Sequence, residues 1–279
     1  MSNIKLCAFA DEADASIDLQ IDALKRNAIP YLEIRNVDGI NISKITLEKA
    51  KEVKSKLDAN GLAVWSLGSP YGKIKVSDNF AEHLDSFKHG LELSHELGAK
   101  CIRLFSFYEA TDPAARDIVM ERLSAFIEAA NGSGITLCHE NEKGIYGDIA
   151  SRCLDIHKTL PELKCVFDPA NFIQSGQDTK EAWEMLKNYV YYMHIKDAMP
   201  DGKVVPAGKG AGNLPFLVGE YSKQGGGVMT LEPHLKIFDG LAALEESDEK
   251  TDIDDFTYPD NNAAFDVAVN AIKEIVAAL

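Results

Sequence analysis

Short apolar runs alternate with longer amphipathic stretches along the whole chain. The apolar runs at 4–10, 31–35, 62–67, 101–106, 135–140, 164–167, 190–194 and 228–232 read as strands, bounded by glycine, proline and polar residues. Between them apolar side chains recur at helical spacing, as at Ile17, Ile21, Leu24 and Ala28. This predicts helices over 16–28, 46–60, 79–97, 113–131, 148–159, 179–188, 214–223 and 262–279, with Gly61, Gly98 and Pro161 as stop signals. Strands that alternate with helices form a parallel sheet with crossover connections. Eight such units in 279 residues predict a closed (β/α)8 TIM barrel. An open doubly wound sheet would want a glycine fingerprint at its first turn, where this chain has Ala10-Asp11-Glu12-Ala13-Asp14. The pattern shows no domain boundary, so one domain is expected over 1–279, with an acidic loop inserted at about 239–261.

The last four strands share a second feature. Each is apolar and then delivers one ionisable group at its C-terminal end: Glu140, Asp168, His194 and Glu232. In a barrel that end carries the active site, and strands five to eight are neighbours. Side-chain alternation puts Cys138 with Glu140, Val166 with Asp168, Tyr192 with His194 and Thr230 with Glu232 on one face. Three clustered carboxylates repel and raise one another's pKa unless a cation sits among them. Three carboxylates and an imidazole suit one divalent ion, Mn²⁺, Mg²⁺ or Co²⁺ before Zn²⁺.

Composition narrows the function. A net charge of −15 argues against nucleic acid as the partner, since phosphate binding needs Lys/Arg clusters. No apolar run is long enough to span a membrane, and Met1-Ser2-Asn3-Ile4-Lys5 has no signal-peptide character, so a cytoplasmic protein is expected. Five cysteines without metal-ligand spacing read as buried thiols in a reducing compartment.

The motifs His139-Glu140-Asn141, Phe167-Asp168-Pro169-Ala170-Asn171, His194-Ile195-Lys196-Asp197 and Leu231-Glu232-Pro233-His234 resemble the xylose isomerase-like TIM-barrel superfamily. The resemblance is to its sugar phosphate isomerase/epimerase branch, which includes the ketose 3-epimerases, and it covers nearly the whole chain. It implies that Glu140, Asp168, His194 and Glu232 bind one divalent metal and that Glu140 and Glu232 form the acid/base pair. The implied activity is isomerisation or epimerisation of a small sugar or sugar derivative through a metal-stabilised enediolate. A homo-oligomer is an expectation from the resemblance alone. Many relatives carry histidine where this chain has Asn171, which can hydrogen-bond but not titrate.

Around this set, Lys196 is read as holding a substrate oxyanion or pairing with an acidic neighbour. Arg35 and Arg103 bind substrate or form ion pairs inside the barrel, and His234 contacts substrate or supports Glu232. The loop Pro206-Ala207-Gly208-Lys209-Gly210-Ala211-Gly212 is read as a phosphate cradle of backbone amides or as a flexible cover. His83 is read as an ordinary helix position. Competing functions are a sugar lyase or dehydratase on the same scaffold, a non-catalytic sugar-binding barrel, and an AP endonuclease. The last would need further histidine ligands that the third and fourth strand ends, with Gly68-Ser69-Pro70 and Phe105-Ser106-Phe107, do not offer.

Overall fold

A computed structural model describes residues 3–110, 112–239, 241, 252–253 and 257–279. Eight parallel strands close into a barrel: β1 (Lys5–Ala8), β2 (Tyr31–Ile34), β3 (Ala63–Leu67), β4 (Cys101–Leu104), β5 (Thr136–Glu140), β6 (Lys164–Phe167), β7 (Val190–Ile195) and β8 (Val228–Leu231). Each strand pairs with its sequence neighbours, and β8 pairs back to β1, with Cys7 beside Thr230. Strand ends that are adjacent in order are therefore adjacent in space.

Two apolar layers hold the barrel. Leu32, Ile102, Phe167, Met193 and Met229 face outward and pack against the helices. Cys7, Cys101, Cys138, Val166, Tyr192 and Val228 fill the interior, with Tyr31 and Trp65 against them. All five cysteines are buried and free, as the pattern implied. No helix among the described residues is long and apolar enough to cross a membrane.

Several helix ends follow from local chemistry. α2 (Leu47–Ala59) is capped by the Thr46 hydroxyl, and α3 (Phe80–Leu97) ends at Gly98 in the left-handed region. α1 (Ile17–Arg26) starts after Ser16, yet its cap comes from elsewhere: Ile17 N donates to Asp38 Oδ1 at 2.9 Å.

Other elements depart from the expected pattern. The first strand stops at Ala8, and a 3-10 turn over Ala10–Glu12 buries Asp11 and Glu12. Two-residue strands form hairpins at Asn36–Val37/Ile40–Asn41 and Asp197–Ala198/Val204–Val205. A short helix, Pro169–Gln174, precedes the expected sixth helix, which runs Thr179–Leu186. The acidic run at 245–255 lies outside the described residues except for Asp252.

The Gly-rich loop is tied to the chain's own acid. Asp197 Oδ2 accepts from Gly208 N (2.8 Å) and Gly210 N (3.0 Å), and Oδ1 accepts from Gly212 N (2.9 Å) and Ala198 N (2.9 Å). A Cβ on Gly210 or Gly212 would overlap that carboxylate, which explains the glycines there. The amides read as a phosphate cradle already hold an anion. His83 is likewise more than a helix position: its Nε2 accepts from Gly72 N at 2.7 Å and anchors the loop after β3.

Candidate active site

The side chains at the ends of β5 to β8 meet at the barrel mouth. One donor atom from each of Glu140, Asp168, His194 and Glu232 lies within 4.8 Å of the others, and all four residues are buried. His194 is central: Nδ1 stands 2.9 Å from Glu140 Oε1, 3.1 Å from Glu232 Oε2 and 4.0 Å from Asp168 Oδ2. Asp168 is aimed by the backbone that follows it. Its carboxylate caps the short helix by accepting from Asn171 N (2.9 Å), and Pro169 supplies a first-turn residue with no amide to satisfy. Asn141 brackets the same residue, accepting from Asp168 N and donating to Asp168 O, both at 2.9 Å.

Each of the other sequence-selected residues reaches this ring. Lys196 Nζ lies 3.1 Å from Asp168 Oδ2 and 3.4 Å from Glu232 Oε2, so it both points inward and pairs with acids. Arg35 Nη1 is 3.0 Å from Glu232 Oε1, and Arg103 Nη1 is 3.2 Å from Glu140 Oε2. Asn171 Nδ2 donates to Asn141 O (2.9 Å) and, more weakly, to Glu140 Oε1 (3.4 Å). His234 has left-handed backbone (φ 45°), and neither ring nitrogen has a hydrogen-bond partner although both are buried. A bulky residue held at positive φ marks a site where the surroundings impose the conformation. His139 turns away from the mouth, bonding Ser106 Oγ at 2.9 Å outside the barrel interior.

Four acids at the site escaped the sequence reading. Asp11 grips Arg35 through two oxygens (2.9 and 3.1 Å), and Glu12 adds a third contact at 3.3 Å. Glu33 sits inside the barrel against His194 Nε2 (3.3 Å) and Tyr192 Oη (2.8 Å). Glu142 pairs with Lys73 at 3.2 Å. The available signal was a charged residue inside the apolar run Tyr31-Leu32-Glu33-Ile34, since a buried strand has no other use for a carboxylate.

Burial and charge compete at every group. Burial opposes a charged His194, but the carboxylates of Glu140 and Glu33 outweigh it and raise its pKa well above the usual imidazole range. Burial would raise Glu232; Lys196, His194 and His234 instead hold it well below the ordinary carboxylate value. Asp168 is pushed up to about 6 by burial, against the pull of Lys196. Glu12 is pushed up to about 8 by burial, with Arg35 opposing.

The Glu12 shift sets a pH dependence. A carboxyl whose folded pKa exceeds its unfolded value binds more protons in the folded state, so its contribution to stability is full below the unfolded value, near 4.5, and is lost as pH rises to about 8. Glu12→Gln is expected to flatten the fall in stability across that window. Urea midpoints of both proteins at pH 5, 7 and 8.5 check it, and parallel slopes would refute it.

The donor set fits a divalent ion. Glu140 Oε2 and Asp168 Oδ2 are buried and make no well-aligned hydrogen bond; each faces a cation, Arg103 Nη1 at 3.2 Å and Lys196 Nζ at 3.1 Å. Metal–ligand bonds of about 2.0–2.4 Å place ligands up to roughly 4–5 Å apart across an ion, which matches the cluster. Among the described residues no second cluster of this kind occurs.

A family model for the xylose isomerase-like TIM barrel matches residues 21–250. The chain belongs to that family. Solved structures with the same fold include the IOLI protein with a bound zinc atom, at 16% identity, 98% coverage of each chain and a TM-score of 0.75. D-psicose 3-epimerase with D-tagatose, from Clostridium cellulolyticum H10, matches at 15% identity, 98% of each chain and 0.73. The probable 3-DHS dehydratase AsbF from Bacillus anthracis matches at 15%, 99% of each chain and 0.73. At these identities the likeness establishes the fold. No curated protein sequence matches.

Proposed function

We propose that this family member is a metal-dependent isomerase or epimerase of a small sugar or sugar derivative. Glu140, Asp168, His194 and Glu232 would hold one divalent ion, Mn²⁺, Mg²⁺ or Co²⁺, with Zn²⁺ as the alternative. When bound, such an ion polarises a carbonyl and acidifies the neighbouring C–H. The observation that carries the reading is the convergence of Glu140 and Glu232, from strands β5 and β8, on one ring nitrogen of His194 at 2.9 and 3.1 Å. Carboxylates that flank one centre can take a proton from one side of a carbon and return one from the other. Glu232, kept ionised by Lys196 and His194, starts as the base. Lys196, Arg35 and Arg103 orient the two carboxylates and offer donors to substrate oxygens. Asn171 and His234 offer neutral polar contacts to hydroxyls.

The structural neighbours support this class without fixing the product. One is an epimerase with a ketose and another a dehydratase. A lyase is the second reading, favoured by Lys196 Nζ at 3.4 Å from Glu232, a donor beside the base that could protonate a departing hydroxyl. The single four-residue cluster among the described residues argues against a three-metal nuclease. We read the chain as one cytoplasmic domain with the segment at 239–261 as an insert.

The test is solvent exchange. With one divalent ion loaded per chain, incubation in heavy water with a panel of ketoses, keto-glycosides and inososes is expected to put deuterium at the carbon beside the carbonyl, with loss of water marking the lyase. Stoichiometric metal without exchange on any panel member would sink the proposal.

A further inference from the structure

We propose that Glu33 is the positioning residue for His194, fixing which ring nitrogen faces the carboxylates and thereby setting the affinity of the site for its ion. This rests on the metal reading of the site given above. Glu33 is fully buried in β2, on the far side of β1 and β8 from β7. The register with β3 shifts between Leu32 and Glu33: Leu32 pairs with Val64, but Glu33 pairs with Ser66. The extra residue is Trp65 on the partner strand, so alternation along β2 is unbroken: Tyr31 and Glu33 face the interior and Leu32 faces out.

The two oxygens of Glu33 have separate tasks. Oε1 accepts from Tyr192 Oη at 2.8 Å, and that hydroxyl lies 3.3 Å from Ser66 Oγ. Oε2 faces His194 Nε2 at 3.3 Å. The carboxylate can only accept, so Nε2 donates to it; Nδ1, which faces Glu140 and Glu232, is the nitrogen left to ligate an ion in place of its own proton. Phe9 and Tyr192 meet the imidazole edge-on at 5.3 and 5.5 Å and block its rotation. A metal-ligating histidine whose other nitrogen donates to a carboxylate is held in one tautomer and one orientation, and loss of that partner costs about 10–100-fold in metal affinity.

A role limited to holding Tyr192 predicts a different outcome, which separates the two. Mn²⁺ and Co²⁺ affinities are measured by chelator competition on wild type, Glu33→Gln, Tyr192→Phe and Asp168→Asn, with thermal unfolding of the ion-free proteins alongside. Wild type is expected to bind one ion and Asp168→Asn none. Glu33→Gln is expected to bind about 10–100-fold more weakly, with an altered visible spectrum of bound Co²⁺. Tyr192→Phe, which leaves the Glu33–His194 contact in place, stays near wild type. If Glu33→Gln does not fold, Glu33→Asp keeps the charge but draws the oxygens back, and it too should bind more weakly. Wild-type affinity in Glu33→Gln or, failing that, in Glu33→Asp overturns the inference and leaves the function standing, as does equal weakening in Tyr192→Phe. A wild type that binds no divalent ion removes both.

Discussion

Glu232→Gln is expected to lower turnover by about 10²–10⁴-fold, the usual share of a general acid or base. Each oxygen of this carboxylate faces cations or their equivalents. Oε1 lies 3.0 Å from Arg35, 3.6 Å from His234 and 3.8 Å from Arg103; Oε2 lies 3.1 Å from His194 and 3.4 Å from Lys196. An amide turns one of those acceptors into a donor and leaves buried cations facing it. The variant should therefore also bind metal more weakly, and metal titration beside steady-state kinetics separates the two effects. Turnover equal to wild type at saturating metal would rule out Glu232 as acid or base.

Arg35→Met is expected to cost about 3–5 kcal/mol of stability, the range for removing one partner of a buried ion pair. Arg35 is 1% exposed and joins Asp11, Glu12 and Glu232, which come from the ends of the first and last barrel strands. Its guanidinium also lies 4.3 Å from the Phe9 ring and 4.9 Å from Phe238. Methionine replaces part of the apolar stem but none of the charge, so Asp11 and Glu232 are left without their buried counter-charge where β1 meets β8, and Glu12 without its donor. Equilibrium urea unfolding reads the loss. A change below about 1 kcal/mol, as for an exposed pair, would mean that water reaches the cluster.

The barrel was legible because every strand is short, apolar and followed by a helical repeat, and neither signal depends on distant partners. The four strand-end residues were legible for the same reason: an apolar run ending in Glu140 or His194 breaks its own pattern. What escaped was non-local. The cap on α1 comes from Asp38, about twenty residues on, and not from the adjacent Ser16. Pro169–Gln174 falls between the expected sixth strand and sixth helix and is too short for a helical repeat to show, and its cap is the same Asp168 that faces the ring. Asp11 and Glu12 follow the apolar run 4–10 as directly as Glu140 follows its own, but only barrel closure brings that end beside β8, and their meaning depends on Arg35. Glu33 was counted as part of a strand, because sequence alternation does not show what lies across a barrel.

The amides around Asp197 have a consequence for substrate choice. A free phosphate would have to compete there with a carboxylate tethered to the same hairpin, whose effective concentration is on the order of millimolar or higher. The tethered group also makes four backbone hydrogen bonds already in place. The loop from Gly208 to Gly212 therefore arrives prefolded, its shape set by the chain's own carboxylate. Under the function proposed above, discrimination among substrates would fall to the side chains at the mouth.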